Sequence, residues 1–259
     1  MQTSRTAAAD LYWIPLGAGG HCVRFNGRVF EAVAAGRQHR RRCDLYHAAL
    51  VVELDGDRYA IELAPSPDGD LASRGVVATG AVGSRCAGRL RLFRYEVRCW
   101  RGGSIPDLGE AVGGPRRLTG DPRVAGRILD LVPTVPVPVW GRDENRTGEM
   151  WNSNSVSAWL ISSAGLVTDY LRPPEGGRAP GWNAGLEVAR RGGPGSGGDG
   201  VPRALEALAA PDPTRPGDQR VETVEELRGL LLPVGELGGE IEVGEGQGVA
   251  GEVGAVGHE

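Results

Sequence analysis

The chain has 259 residues, a formal net charge of −4 at neutral pH, and 29 basic residues that are all arginine. No segment approaches the roughly 18 consecutive apolar residues that a membrane-spanning helix needs, and the N-terminus has no apolar stretch of signal-peptide length. The four cysteines lack Cys-x-x-Cys spacing, which argues against a zinc site. These properties predict a cytoplasmic protein that holds no metal or organic cofactor and does not bind membranes.

Two hairpins are predicted in the first quarter of the chain. Residues 23–33 alternate apolar and polar side chains around an Asn-Gly pair at 26–27, which is a strong turn signal. A longer apolar run at 45–54 leads into Asp-Gly at 55–56, and an alternating run at 57–63 leads out. Both patterns indicate antiparallel strands.

The following elements mix one strand with two helices. Alternation over 89–100 predicts a strand. Residues 122–132 have helical spacing, and 133–140, with three prolines, must be extended and can form an edge strand at most. A buried helix is predicted at about 155–165, since its last residue is a glycine that suits a C-terminal cap. The order predicts the α+β class, with an antiparallel sheet packed against a few helices.

The composition changes along the chain. Nearly all aromatic residues lie in 1–172, whereas 192–200 reads Gly-Gly-Pro-Gly-Ser-Gly-Gly-Asp-Gly. Such a segment buries too little apolar surface to offset chain entropy. We therefore predict one folded domain at 1–185 and a mostly disordered tail at 186–259. A capping-box pattern predicts one short helix in the tail, at 224–232, whose partner the sequence does not identify.

Charge is distributed unevenly. Four arginines crowd residues 37–42, whereas the charged residues of 234–259 are all glutamates, apart from His258. An arginine cluster can bind phosphate or nucleic acid. This cluster lacks interleaved aromatic residues and any recognisable nucleic-acid-binding module, and we interpret it as a solvated loop.

The stretch 148–161, Gly-Glu-Met-Trp-Asn-Ser-Asn-Ser-Val-Ser-Ala-Trp-Leu-Ile, places small polar residues before an apolar helix. The first turn of a helix has unpaired N–H groups and the positive end of the helix dipole, which stabilise a developing anion. Ser153 or Ser155 could act there as a nucleophile, with N–H groups near Asn154 and Ser155 as an oxyanion hole. Ser and Asn are also preferred N-cap residues, and capping is the commoner reason for such a pattern.

His47 opens the second predicted hairpin. A two-residue turn at 55–56 would pair Ala49 with Glu62. Because strand side chains alternate, His47 and Glu62 would then lie on one face, one diagonal step apart. A carboxylate there could orient the imidazole and stabilise its cation, as the third member of a catalytic triad does. A His–Glu pair that only adds solubility at the rim of a sheet fits the same pattern.

Together, a histidine on the first core strand, a hairpin with an acidic residue and a later Asn-x-Asn motif that opens a helix resemble the circularly permuted papain-like fold. That group includes relatives of lecithin retinol acyltransferase and the PPPDE peptidases. Residues 46–50, Tyr-His-Ala-Ala-Leu, match its histidine strand, and 151–155, Trp-Asn-Ser-Asn-Ser, match its helix motif. The resemblance spans about 40–165. The chain also resembles a bacterial family of unknown function with Asn-Ser-Asn in the same place.

The resemblance implies a base at His47, a nucleophile at Ser153 and an orienting group that is either Glu62 or a backbone carbonyl. Asn152, Asn154 and Ser155 would orient the nucleophile or bind the oxyanion. The active families use Cys where this chain has Ser153, and a serine hydroxyl is far harder to deprotonate than a thiol. Two functions therefore remain. One is an amide or ester hydrolase or acyltransferase for a small acyl or peptide substrate; the other is an inactive binding module of the same fold that recognises a peptide or acyl group.

Overall fold

A computed structural model describes residues 6–17, 31–65 and 75–192. Within these ranges the chain forms a six-stranded antiparallel sheet and four α-helices, so that the predicted α+β class is confirmed. The strands are β1 (Ala7–Pro15), β2 (Tyr46–Leu54), β3 (Asp57–Pro65), β4 (Val76–Ala81), β5 (Arg94–Arg101) and β6 (Arg116–Thr119), in the spatial order β4-β5-β3-β2-β1-β6. The helices are α1 at 31–37, α2 (Pro122–Leu131), α3 (Ser153–Ser163) and α4 (Trp182–Gly192).

The hairpin of β2 and β3 forms with the predicted two-residue turn. Leu54 pairs with Asp57 across it. Asp55 and Gly56 have φ values of 54° and 87°, the left-handed conformation that a type I′ turn requires and that Asp-Gly adopts at low cost. The twist of this turn matches the twist of the strands, which is why the short loop fixes the register.

Apolar side chains cover both faces of the sheet, but unequally. The main core lies on the face to which β2 turns Tyr46, Ala48 and Leu50, and there α2, α3 and α4 pack. The opposite face carries a smaller cluster formed by Ile14, Ala49, Val51, Ala60 and Ile105, with the short 3₁₀ helix Pro106–Glu110 against it. The helices therefore cover one side of the sheet, as expected for an antiparallel sheet.

Several predicted elements need correction. Most of the hairpin predicted at 23–33 lies outside the described residues, but 31–33 belong to helix α1. The strand predicted at 89–100 begins only at Arg94, because two 3₁₀ turns occupy most of 87–93. In 133–140 the chain forms a 3₁₀ turn at Val132–Thr134 and then, at Trp140, two isolated bridges to Val82 and Trp151 instead of an edge strand.

The end of the domain also differs from the prediction. The boundary predicted at residue 185 falls inside α4, which continues to Gly192. Residues 193–259, including the helix predicted at 224–232, lie outside the described part of the chain. None of the described helices is long and apolar enough to cross a membrane.

Candidate functional site at the N-terminus of helix α3

Asn152 caps helix α3. Its side-chain oxygen accepts hydrogen bonds from the backbone N–H groups of Asn154 at 2.9 Å and Ser155 at 3.4 Å. In return, the Ser155 hydroxyl accepts from the Asn152 N–H at 3.1 Å, which completes a capping box. The helix therefore begins at Ser153, two residues before the predicted start.

Asn154 joins this helix to strand β2. Its Oδ1 accepts from the Ala48 N–H at 2.7 Å, and its Nδ2 donates to the Tyr46 carbonyl at 3.0 Å. This is the pattern that a peptide group of a neighbouring strand would make. The place is open because the described ladder between β2 and β3 ends at the Leu50–Ile61 pair. Asn154 is 3% exposed, so these bonds are shielded from water.

The segment before α4 closes the other side of the helix N-terminus. Pro180 accepts through its carbonyl from Asn152 Nδ2 at 2.9 Å and from Asn154 Nδ2 at 2.8 Å. The Ser155 hydroxyl, fully buried, donates to the Gly181 carbonyl at 2.7 Å. Three of the four predicted polar residues thus tie α3 to β2 and to the start of α4.

Ser153 is the exception among the four. It is half-buried at the first position of α3, and its hydroxyl has no hydrogen-bond partner among the described residues. The Ser153 hydroxyl neither caps the helix nor joins it to another element, so it can take part in a reaction without breaking a bond of the fold. This is the residue for which the resemblance predicts the role of nucleophile.

His47 lies between the two residues of β2 that Asn154 binds. Strand alternation turns its side chain with Ala49 and Val51, to the face opposite the body of α3. The imidazole is half-buried, and no hydrogen bond joins it to Ser153 or to any other described residue. Asn154 therefore brings the N-terminus of α3 to the backbone of β2 on either side of His47, but no described contact joins the imidazole to Ser153.

Burial governs the titration of His47. Its surroundings lower its pKa to about 4, and loss of hydration of the charged form is the cause. The imidazole is therefore neutral at pH 7, which is the form that can accept a proton.

Glu62 shares the sheet face of His47 but is paired elsewhere. Its Oε1 lies 3.5 Å from Nη1 of Arg98, and no hydrogen bond joins it to His47 among the described residues. Nε of Arg98 lies 3.0 Å from Oε2 of the fully buried Glu96. Burial raises the pKa of Glu62. The Arg98 guanidinium lowers that pKa again, and the negative charge of Asp107 raises it further. The structure thus places Glu62 in a buried charge network.

The predicted oxyanion N–H groups are already occupied. Those of Asn154 and Ser155 both point to the side-chain oxygen of Asn152. An oxyanion at this position would have to share or displace that oxygen, whose capping bonds are worth about 1 kcal/mol.

Sequence reasoning missed the contribution of Glu149. Its carboxylate accepts from the backbone N–H groups of Gly181 at 2.8 Å and Asn183 at 3.3 Å, and from Nδ2 of Asn183 at 2.9 Å. It therefore caps the start of α4, where a negative charge is favourable. The visible signal was an acidic residue three positions before the Asn-Ser-Asn-Ser motif, but its partner lies more than 30 residues away.

The arginine cluster at 37–42 is partly structural. Arg40 pairs with the buried carboxylate of Glu31 on α1, and the Arg40 guanidinium holds the pKa of that carboxyl at about 2. Arg37, Arg41 and Arg42 are exposed. Among the described residues, no three His, Cys, Asp or Glu side chains are grouped as a metal site.

In comparisons with protein-family models, with curated proteins and with solved structures, no match to this chain was found. The permuted papain-like fold therefore stays a prediction.

Proposed function

We propose that this domain is an amide or ester hydrolase, or an acyltransferase, of permuted papain-like architecture. The observation that carries the proposal is the position of Asn154, which binds the backbone on both sides of His47. The residue before it in the chain is Ser153, the side chain of the motif that has no structural bond among the described residues.

In this proposal Ser153 attacks the acyl carbon of the substrate. This mechanism requires the imidazole of His47 to swing around the edge of β2 to the Ser153 hydroxyl when substrate binds. The hydroxyl proton then passes to the neutral imidazole, and an acyl-enzyme forms as the amine or alcohol leaves with that proton. Water completes hydrolysis, and a second alcohol or amine completes acyl transfer. Since the pKa of His47 is about 4, the imidazole is a weak base, and we expect slow turnover that persists in mild acid.

Glu62 has an electrostatic role here. It adds negative charge to the face of the sheet on which the imidazolium forms, and Arg98 fixes its position. Burial, not Glu62, sets the pKa of His47 in the free protein, so this role applies only to the imidazolium that forms during the reaction.

A second candidate is the inactive binding module. It is favoured by the side-chain oxygen of Asn152, which occupies the two N–H groups that an oxyanion would need. In this alternative, Ser153 is a surface residue of a cleft that recognises a peptide or acyl group.

The substitution Ser153→Cys in the full chain tests the proposal. The rate of alkylation of the introduced thiol is followed against pH by peptide mass spectrometry, with and without His47→Ala. A working nucleophile–base pair gives a thiol pKa well below the free value of about 8.5, and a rise of about one unit or more when His47 is removed. The dependence on His47 is decisive, because the helix N-terminus alone also lowers a thiol pKa.

A matched control places the same thiol at the other end of α3, as Ser162→Cys. Its titration should be indifferent to His47. If the thiol at position 153 is also indifferent to His47 and titrates near the free value, the catalytic proposal fails and the binding module stands.

A further inference from the structure

A groove lies beside the edge strand β4. It has a volume of about 410 Å³ and is lined by residues 79–81 of β4, by Arg85, Arg89 and Arg94, and by Val137, Val139 and Glu144. We call it the β4 groove. It contains three arginines and one carboxylate, and none of the proposed catalytic residues.

The groove already binds one glutamate. Arg85 and Glu144 form a two-point pair, with Nε–Oε1 at 2.7 Å and Nη2–Oε2 at 3.1 Å. Arg94 donates to the carbonyls of Gly88 and Arg89 instead. The guanidinium of Arg89 is exposed and has no partner among the described residues. The groove therefore binds one carboxylate already, through Arg85, and Arg89 can bind another.

Exposed apolar side chains occur in the groove and next to its arginines in the chain. Leu90 and Leu92 are 63% and 51% exposed, and Val137 is 44% exposed. Val137 lines the groove itself, whereas Leu90 and Leu92 lie in the chain between the lining residues Arg89 and Arg94. Exposed apolar side chains that occur together are typical of a binding surface. The ligand that fits must therefore combine carboxylates with short apolar side chains.

We propose that the β4 groove binds the acidic C-terminal segment of the same chain, residues 236–245. This segment reads Glu-Leu-Gly-Gly-Glu-Ile-Glu-Val-Gly-Glu, with four glutamates, three apolar residues and no basic residue. Glutamates meet the arginines, as Glu144 meets Arg85, and Leu237, Ile241 and Val243 cover the exposed apolar side chains. Arginine is well suited to such two-point recognition of carboxylates.

The length of the chain permits this contact. More than 40 residues separate Gly192 from Glu236, and an extended chain spans up to about 3.3–3.6 Å per residue. Binding within one chain is also favoured over binding of a separate partner, because no second molecule must be captured.

Cys86 reports on the groove, since it is exposed and lies between the lining residues Arg85 and Gly88. Its modification by iodoacetamide, a neutral reagent, is measured in the full chain by peptide mass spectrometry. We compare the wild type with Glu240→Gln/Glu242→Gln/Glu245→Gln. The matched control carries the same three changes at Glu222, Glu225 and Glu226, which are acidic residues outside the proposed segment.

If the segment occupies the groove about three-quarters of the time, its release speeds up Cys86 modification about fourfold. The same increase is expected for the wild type at about 0.5 M salt, where the Debye length is about 4 Å. Arg89→Gln should act in the same direction and add little to the triple variant, because both remove one interaction. The control variant should resemble the wild type.

Three results would overturn the proposal. The first is an equal Cys86 rate in the wild type and both triple variants. The second is protection that grows with protein concentration, which would assign the segment to a second copy of the chain. The third is protection seen only after phosphatidylserine vesicles are added, which would assign the groove to a membrane surface.

Discussion

Replacement of Asn154 by Ala should be among the most damaging single changes in this domain. The side chain makes hydrogen bonds with the Ala48 N–H at 2.7 Å, the Tyr46 carbonyl at 3.0 Å and the Pro180 carbonyl at 2.8 Å. Each bond contributes about 1 kcal/mol net, and the buried N–H of Ala48 left unpaired costs about 1–3 kcal/mol more. The free energy of unfolding should therefore fall by about 4–6 kcal/mol, a large share of the 5–15 kcal/mol typical of a domain.

Urea denaturation, followed by tryptophan fluorescence and far-UV circular dichroism, measures this loss. Asn183→Ala is the matched control, because Asn183 is exposed and its side chain makes one bond, to Glu149. It should cost about 1 kcal/mol or less. Equal losses for Asn154→Ala and Asn183→Ala would refute the account of β2 and α3 given above.

Asn154→Asp separates the two halves of the interaction. The substitution keeps an acceptor for the Ala48 N–H but turns a charge towards the carbonyls of Tyr46 and Pro180. Once protonated, the introduced carboxyl again offers a donor to one of these carbonyls, so the folded state favours the protonated form and raises the pKa of the carboxyl. The variant should therefore regain stability as the pH falls through that raised pKa. A variant whose loss relative to the wild type does not shrink on acidification would contradict this geometry.

Three further substitutions probe other parts of the domain. In thermal melts, Gly185→Ala should destabilise the domain by about 2–3 kcal/mol, because an added Cβ would lie 2.1 Å from the carbonyl oxygen of Ser155 and push α4 away from α3. Gly126→Ala is the control: its Cβ would make only an ordinary contact at 3.8 Å, and it should stabilise the domain by about 0.5–1 kcal/mol. The wild type should lose stability as the pH falls from about 6.5 towards 4, because His47 takes up its proton at a higher pH in the unfolded state than in the folded state. In urea titrations at several pH values, His47→Gln should remove up to about 3 kcal/mol of this pH-dependent loss. Glu96→Gln should cost about 3 kcal/mol in urea titrations, because a neutral amide weakens a buried ion pair; a loss below 1 kcal/mol would mean that solvent reaches the pair.

Local chemistry made part of this fold predictable. The Asp-Gly turn at 55–56 dictated a hairpin and its register, and the polar motif at 152–155 dictated the start of a helix. Strand β1 gave no such signal, since it is buried on both faces and shows no alternation. Strand β6, only four residues long, exists through its pairing with β1.

Helix α4 was missed for a related reason. The predicted domain ended at residue 185 because the composition turns to glycine and proline towards 192–200, although Gly185 is what lets the backbones of α3 and α4 approach each other. In the candidate site, too, only the interactions between residues close in the chain could be predicted. The capping role of Asn152 was readable from local sequence, whereas the bond of Asn154 to β2 depends on a partner 106 residues away. Interactions at such a separation leave no local pattern.

That separation has a consequence for how the protein is made. Ribosomes add roughly 5–20 residues per second, so about 5–20 seconds pass between synthesis of Ala48 and of Asn154. Meanwhile the edge of β2 at 46–49 lacks its partner and can pair with another unfinished chain. Variants that weaken α3 should therefore aggregate during expression more than their equilibrium stability indicates. Slower translation after residue 154 should not rescue them, whereas lower expression levels should.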